Sequence, residues 1–186
     1  MASDPAYPNV HQDLIDKCRT GDPRAQYEIY RLYYKSMFNA SLRIVKDPQE
    51  AEDIMQESFL SAFRNISTYS GKVSFGAWLK KIVINNSLDV LKKRKLALEE
   101  LHEGLVESTE SEEGYDESVV SARIEEIREA IMELPDGYRI VLSLHLLEGY
   151  DHEEIGDILQ ISSSTSRSQF TRAKQRLVEI LKKYRK

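Results

Sequence analysis

The strongest constraint on the fold is a long run of regularly spaced apolar residues that follows a clear helix-start signal. Asp22-Pro23 places a capping aspartate before a first-turn proline, and Asp47-Pro48 repeats this signal. After the first signal, apolar residues recur at intervals of three and four, the period of one helix face: Tyr27, Tyr30, Tyr34, Phe38, Leu42 and Val45. Since only five prolines and eight glycines interrupt the 186 residues, we predict an all-α fold.

The same punctuation predicts seven further helices. They span about 13–19, 48–66, 75–95, 119–134, 138–148 and 152–159, and the last one runs from about 162 to the C-terminus. The longest β-like run, Lys81–Ile84, lies inside a helical pattern and is assigned to the helix 75–95. A polar loop, Ser67–Ser74, precedes that helix.

The charge of the chain is strongly segregated. Residues 1–98 carry a net charge of +4, residues 99–136 carry −12 and residues 137–186 carry +3. The acidic stretch Glu99–Glu117 has no sustained apolar period, so we interpret it as a solvated, flexible linker. The predicted organisation is an N-terminal segment with a short helix (1–22), a helical domain (23–96), an acidic linker (97–118) and a second helical domain (119–186).

Several classes of protein are disfavoured by what the sequence lacks. No apolar run approaches the roughly 20 residues of a membrane span, and no secretory leader is recognisable. Cys18 is the one cysteine, so we expect a buried, inert thiol in a reducing, cytoplasmic setting. The four histidines have no metal-ligand spacing, and no glycine-rich phosphate loop or nucleophile elbow occurs. We therefore expect no metal, no cofactor and no enzymatic activity.

The segment Asp151–Leu177 has the layout of a helix-turn-helix. Gly156 supplies a small residue where the second helix must approach closely, and Ile161 is the apolar turn residue. The predicted inner stripe of the second helix is Ser166, Phe170, Ala173 and Leu177. Its outer face presents hydroxyl, amide and basic side chains that suit duplex DNA: Ser163, Ser164, Thr165, Arg167, Ser168, Thr171, Arg172, Lys174 and Gln175. A merely solvated basic face is the competing interpretation, which the turn chemistry and the charge bias disfavour.

A polar helix face near the middle of the first domain is a candidate protein-binding surface. Asp53, Gln56 and Glu57 are spaced i, i+3, i+4, so they share one face of the helix 48–66. Such a face suits a partner with basic side chains, and a solvated face is the alternative. Paired carboxylates can also serve acid–base catalysis or a metal, but no histidine accompanies them.

The helix 75–95 interleaves aromatic, amide and basic residues, a pattern that is typical of single-stranded DNA binding. The residues concerned are Trp78, Lys80, Lys81, Asn85, Asn86 and the run Lys92–Lys95. A core position is the alternative for Trp78, the only tryptophan. For Lys92–Lys95, a favourable interaction with a helix C-terminus is the alternative.

Together these segments resemble the extracytoplasmic-function sigma factors, the compact promoter-recognition subunits of bacterial RNA polymerase. Ala51-Glu52-Asp53…Gln56-Glu57-Ser58-Phe59 resembles region 2.2 of that family. Phe75-Gly76-Ala77-Trp78-Leu79…Ile82…Asn85…Asp89 resembles regions 2.3–2.4. Leu134-Pro135…Ile155-Gly156…Leu159…Ser164-Thr165…Arg167-Ser168…Arg172-Ala173-Lys174 resembles region 4. The similarity covers about residues 10–95 and 120–180 in the family's order.

The resemblance implies a role for each candidate surface. Asp53, Gln56 and Glu57 would contact the β′ clamp coiled coil of core RNA polymerase. The second domain would meet the β flap. Trp78, Lys81, Asn85 and the Ser67–Ser74 loop would open the −10 element and capture a flipped non-template base. Contacts with the duplex −35 element would come from Ser164, Thr165, Arg167, Ser168, Thr171, Arg172 and Lys174. The acidic linker would pass through the polymerase near its active site, and an anti-sigma factor would be a further partner.

Two positions depart from the family pattern. Where relatives often have Gly-Thr-Val-Lys, this chain has Ser164-Thr165-Ser166-Arg167, so a serine replaces an apolar inner residue. Gln169 stands where an arginine is common. Both departures bear on the −35 preference.

Two other classes of function stay open from the residues alone. One is a helix-turn-helix regulator that binds duplex DNA without joining the polymerase. The other is an enzyme acting on nucleic acid, which the missing catalytic constellation disfavours. The features at Lys80–Asn86 and Lys92–Lys95 favour a sigma factor, since a regulator need not melt DNA.

Overall fold

The computed structural model describes residues 10–101 and 118–184, with side chains for 10–94 and 123–184. Within those ranges the chain is all-α, as predicted, and contains no strand. The helices are α1 (Gln12–Arg19), α2 (Pro23–Val45), α3 (Pro48–Arg64), α4 (Phe75–Leu101), α5 (Ser118–Met132), α6 (Asp136–Leu146), α7 (His152–Leu159) and α8 (Ser163–Tyr184), with a 3-10 turn at Ile66–Thr68. The chain divides into two compact units, Met1–Leu96 and Ala97–Lys186.

The predicted helix starts are confirmed by their capping hydrogen bonds. The Asp22 carboxylate accepts from the backbone N–H of Arg24 at 2.8 Å, and Asp47 accepts from that of Glu50 at 2.8 Å. In both helices proline takes the first position, where a missing N–H costs nothing. Asp151 begins α7 with a reciprocal capping box to Glu154.

The buried face of α2 agrees only in part with the predicted one. Tyr27 is 61% exposed and Tyr34 is also exposed, whereas the chain buries the neighbouring stripe: Ala25, Ile29, Met37, Ala40, Ser41, Ile44 and Val45. Aliphatic and small residues allow α1 and α3 to pack closely on this stripe. The period was therefore right, and the predicted stripe is partly confirmed, because Val45 is fully buried and Tyr30 and Phe38 pack against the core.

Aromatic side chains build the core of the first unit. Phe75 is 1% exposed, and its ring meets those of Tyr33, Tyr69 and Trp78 at centroid distances of 5.7, 5.4 and 5.4 Å. Gly76 lies so close to Tyr33 that an added Cβ would stand 2.9 Å from the ring. Cys18 is buried here, and burial raises the pKa of its thiol to about 11, in agreement with an inert cysteine.

Helix α4 is six residues longer than predicted and is tied to α2 and α3 by polar contacts. The Ser87 hydroxyl donates to that of Ser41 at 2.9 Å, and the Arg94 guanidinium donates to the Val45 carbonyl and Glu50 at 3.3 Å. Because α4 continues to Leu101, Lys92–Lys95 do not lie at a helix C-terminus, and that alternative for the run is wrong. The extension consists of strong helix formers. Most of the predicted linker, residues 102–117, lies outside the described residues.

A buried arginine closes the corner between α5 and α6 in the second unit. The Arg139 side chain is fully buried and donates to the Leu134 carbonyl and the Asp136 carboxylate, both at 2.9 Å. A desolvated guanidinium is tolerated only with such partners. The α5 end and the α6 start are thereby held together at Pro135.

The turn between α7 and α8 depends on a close backbone approach. A Cβ on Gly156 would lie 2.8 Å from the carbonyl oxygen of Ile161 and 3.5 Å from the Ser163 nitrogen. The prediction that Gly156 makes room for the second helix is therefore confirmed, with the turn itself as the neighbour.

Two histidines that the sequence analysis left unassigned form a stacked pair between α6, α7 and α8. The rings of His145 and His152 lie 4.4 Å apart at 12°, and both meet the edge or face of Phe170. His145 Nδ1 donates to the Tyr150 carbonyl at 2.8 Å, and His152 Nδ1 bonds the hydroxyl of buried Ser166 at 2.9 Å. Ser166, the departure from the family pattern, is thus satisfied by a partner from the neighbouring helix.

We expect Gly156→Ala to destabilise the second unit by about 1–3 kcal/mol, since the methyl group must displace backbone. Gly137→Ala is the matched control, because its Cβ would meet only a side-chain oxygen of Gln169 at 3.8 Å. Urea unfolding followed by circular dichroism measures both. Equal midpoints for the two variants would show that the approach at Gly156 relaxes freely.

We also expect the second unit to lose stability in mild acid. Burial, His145 and Arg167 lower the pKa of His152 below its ordinary 6.5, while Asp151 opposes them. The unfolded chain therefore binds a proton at this histidine more readily than the folded chain does. The contribution of neutral His152 to the free energy of unfolding is intact above pH 6.5 and is lost as the pH falls towards the lowered pKa. Urea titrations between pH 5 and 8 should show this slope, and His152→Gln should flatten it. Parallel curves for both proteins would contradict the assignment.

Candidate nucleic-acid interface

The outer face of α8 is exposed as predicted, and its inner stripe is confirmed. Ser166 and Ala173 are fully buried, Phe170 and Leu177 pack against the same core, and Ile180 extends the stripe. The predicted −35 residues on the opposite side are exposed: Ser164, Arg167, Ser168, Thr171, Arg172 and Lys174. Thr165 is half-buried. The helix therefore offers one continuous polar surface.

The first turn of α8 is organised by Ser162, which sequence reasoning did not single out for a separate role. Its hydroxyl accepts from the Thr165 backbone N–H at 3.0 Å and lies 2.8 Å from the hydroxyls of Ser164 and Thr165. Ser162 thus acts as the N-cap. The hydroxyls of Ser164 and Thr165 already have a partner, so contact with a phosphate would require exchange.

The basic residues of α8 differ in their engagement. Arg176 pairs with Glu179 at 2.8 Å, and the Lys174 ammonium lies 4.7 Å from the centroid of the Phe170 ring. Within residues 123–184, Arg167 and Arg172 have no carboxylate within ion-pair distance. Those two guanidinium groups keep their donors available for an incoming acceptor.

The predicted protein-binding residues lie together on α3. Asp53, Gln56 and Glu57 are exposed, and their contacts within the helix are weak: Gln49 donates to Asp53 at 3.3 Å, Gln56 donates to Glu52 at 3.1 Å, and Arg64 lies 3.8 Å from Glu57. Exposed pairs of this kind contribute little and are readily exchanged for a partner. Leu60 is 50% exposed and continues this face at i+4 from Gln56. The sequence analysis did not name it, because only the polar residues of this face were considered.

Helix α4 presents Lys81 and Asn85 to solvent, three and seven residues after Trp78 on the same side. The Trp78 ring is half-buried against Tyr69 at 5.3 Å and Phe75 at 5.4 Å, so it serves the core and leaves part of its surface accessible. Asn86, by contrast, donates to the buried Ser58 hydroxyl at 2.9 Å. Its role is structural, which separates it from the neighbouring Asn85.

The loop before α4 starts with the 3-10 turn and continues through residues 69–74. Gly71 has φ +77°, a conformation that favours glycine. Tyr69 is 2% exposed, and its hydroxyl donates to the Val73 carbonyl at 2.6 Å. The sequence analysis placed Tyr69 in a polar loop and missed its burial, because the ring packs on residues from α4 that lie beyond any local period.

The described residues suggest neither a metal centre nor a membrane segment. Within residues 10–94 and 123–184, no three histidine, cysteine or acidic side chains gather as a metal-ion site would require. None of the helices in the described part of the chain combines the length and apolarity needed to cross a membrane.

Comparison with known proteins identifies both units. Residues 29–97 match the family model of sigma-70 region 2, and residues 124–177 match that of sigma-70 region 4. The chain is 32% identical over 152 residues to the ECF RNA polymerase sigma factor SigM of Bacillus subtilis, covering 81% of this chain and 91% of the relative. It is 28% identical over 179 residues to the RNA polymerase sigma-H factor of Pseudomonas aeruginosa, covering 91% and 93%.

A solved structure shares the fold. It is the sigma factor RpoE of Bartonella quintana in complex with the anti-sigma factor NepR, with a TM-score of 0.62 and 20% identity, covering 84% of this chain and 96% of that one. Region 2 precedes region 4 along the chain, and the α4 surface lies in the first match and the α8 surface in the second. The chain belongs to the ECF RNA polymerase sigma factors.

Proposed function

We propose that the chain recognises promoters through two separate surfaces while a third, on α3, holds core RNA polymerase. As a member of its family it directs promoter-specific initiation of transcription with RNA polymerase. One observation supports the assignment of two DNA-binding surfaces. The exposed Lys81–Asn85 side of α4 lies in the region 2 match, and Arg167 and Arg172 of α8 lie in the region 4 match.

Asp53, Gln56 and Glu57 are proposed to bind the β′ clamp coiled coil of the polymerase. Their exposed, weakly engaged polar groups support this, because a basic partner can replace intrahelical contacts at little cost. The second unit is proposed to meet the β flap.

The first unit is proposed to open the −10 element. Trp78 offers a partly accessible ring for stacking, Lys81 a charge for the backbone and Asn85 an amide for a base edge. The loop 67–74 is proposed to take up a flipped non-template base.

The outer face of α8 is proposed to read the −35 element in the major groove. Arg167 and Arg172 have free donors for guanine or phosphate, and Ser164, Thr165, Ser168, Thr171 and Lys174 complete the surface. Because Gln169 is half-buried beside Gly137, its contribution at the family's arginine position is packing on α6.

An anti-sigma factor is proposed as a further partner, on the example of the Bartonella quintana complex. The family regulates transcription rather than catalysing a reaction, and we assign the chain no catalytic activity of its own. We propose that it acts in the cytoplasm, together with the polymerase and promoter DNA.

We expect the double substitution Asp53→Ala and Gln56→Ala to reduce co-purification with core polymerase at least several-fold. Asp13→Ala is the control, since it removes one exposed carboxylate from α1 instead. The same variants fused to a heterologous polymerase-recruiting domain should bind −35 DNA normally. Unchanged co-purification would remove the α3 face from the polymerase contact.

We expect Arg172→Ala to cost about 1–3 kcal/mol of binding to the preferred −35 sequence if the guanidinium reads a base. Arg176→Ala is the matched control, because that arginine is occupied by Glu179. Holoenzyme binding to the preferred and to scrambled −35 sequences distinguishes base readout from phosphate contact. An equal loss on all sequences would indicate a phosphate contact instead of base readout.

A further inference from the structure

Two hydrogen bonds in series fix the loop that precedes α4. Arg19 Nη2, at the end of α1, donates to the Tyr69 carbonyl at 2.9 Å across fifty residues of sequence. The Tyr69 hydroxyl in turn donates to the Val73 carbonyl at 2.6 Å. The first bond holds the start of the loop, and the second closes residues 69–73 into a ring.

The two donors are themselves held in place. Arg19 Nη1 pairs with Asp16 at 3.0 Å, and the same carboxylate oxygen accepts from Gln12 at 2.9 Å. The Tyr69 ring is buried against Phe75 and Trp78, so its hydroxyl cannot swing away without disturbing the core. The loop thus rests on a helix on one side and on the aromatic core on the other.

Between these fixed ends the loop presents its middle to solvent. Ser70 and Lys72 are exposed, Val73 is 50% exposed and Gly71 adopts its left-handed conformation. The Ser74 hydroxyl accepts from the Ala77 backbone N–H at 3.2 Å and so caps α4. A short exposed segment with both ends restrained is preordered for a ligand.

We propose that Arg19 and Tyr69 are positioning residues for base capture, holding loop residues 70–73 in the shape that receives an unstacked base. This inference rests on the proposed function, in which the loop takes up that base. Unstacking a base is already unfavourable, and a loop that must also be ordered on binding would add a further cost. Arg19 lies before the region 2 match, which begins at residue 29. It contributes through the loop backbone, because its guanidinium donates to the Tyr69 carbonyl.

The test uses the full chain with core polymerase and a promoter recovered by run-off transcription of genomic fragments. Open-complex formation is measured by permanganate reactivity on the intact promoter and on templates with one abasic site at each non-template position of the −10 element. The variants are Arg19→Ala and Tyr69→Phe. The second keeps the buried ring and removes only the hydroxyl that bonds Val73.

Arg31→Ala is the matched control. Arg31 is also an exposed arginine paired at i, i+3, with Glu28 at 3.5 Å, and its other contact is the Tyr27 ring. It should open DNA like the wild type. Urea unfolding followed by Trp78 fluorescence identifies any variant that has lost the fold, and Tyr69→Phe remains informative if Arg19→Ala is unstable.

We expect both loop variants to open the intact promoter roughly two- to ten-fold less well than the wild type. The defect should vanish on the template that lacks the captured base, because two changes that act through one contact are not additive. A defect of equal size on intact and abasic templates, or no defect, would overturn the positioning role. If no abasic site affects the wild type, base capture itself fails, and the inference is refuted together with that part of the proposed function.

Discussion

The burial of Phe75 at the start of α4 is the contact on which the first unit depends most. Its ring lies among Tyr33, Tyr69 and Trp78, so it joins α2, the loop and α4 in one cluster. The nearness of Gly76 to Tyr33 sets how closely α4 can approach α2. With that approach fixed, Lys81 and Asn85 are turned to solvent and the loop is held beside Trp78.

In the second unit the equivalent role belongs to polar groups placed inside the packing. Arg139 holds the corner between α5 and α6, and the bond between His152 and Ser166 joins α7 to α8. Such groups are costly to bury alone and specific once paired. The exposed arginines therefore lie on a helix, α8, whose buried side is fixed by a hydrogen bond to α7.

The capped helix starts and the helix-turn-helix could be predicted because their determinants are local. Asp22, Asp47 and Asp151 cap the helices that follow them, and Gly156 marks a turn a few residues away. The polar face of α3 also follows from spacing alone. Each of these features is decided within about two helical turns of sequence.

The remaining features required partners that are distant in sequence. Apolar residues recur around much of α2 at helical spacing, and only packing by other elements decides that Ile29 is fully buried while Tyr27 stays exposed. The stacked histidines come from α6 and α7, and Arg19 meets Tyr69 fifty residues later. A single sequence does not reveal which isolated arginine or histidine will find such a partner.

The hydrogen bond between His152 and Ser166 limits how far α7 and α8 can rotate against each other. Two helices that cross through aliphatic side chains alone can rotate slightly against each other, whereas a directional hydrogen bond at the crossing resists this. In the proposed function α8 enters the major groove, and a helix with little freedom to adjust would need a groove already at a suitable width and twist. We therefore expect this chain to reject −35 duplexes of unsuitable shape even when their base identities match.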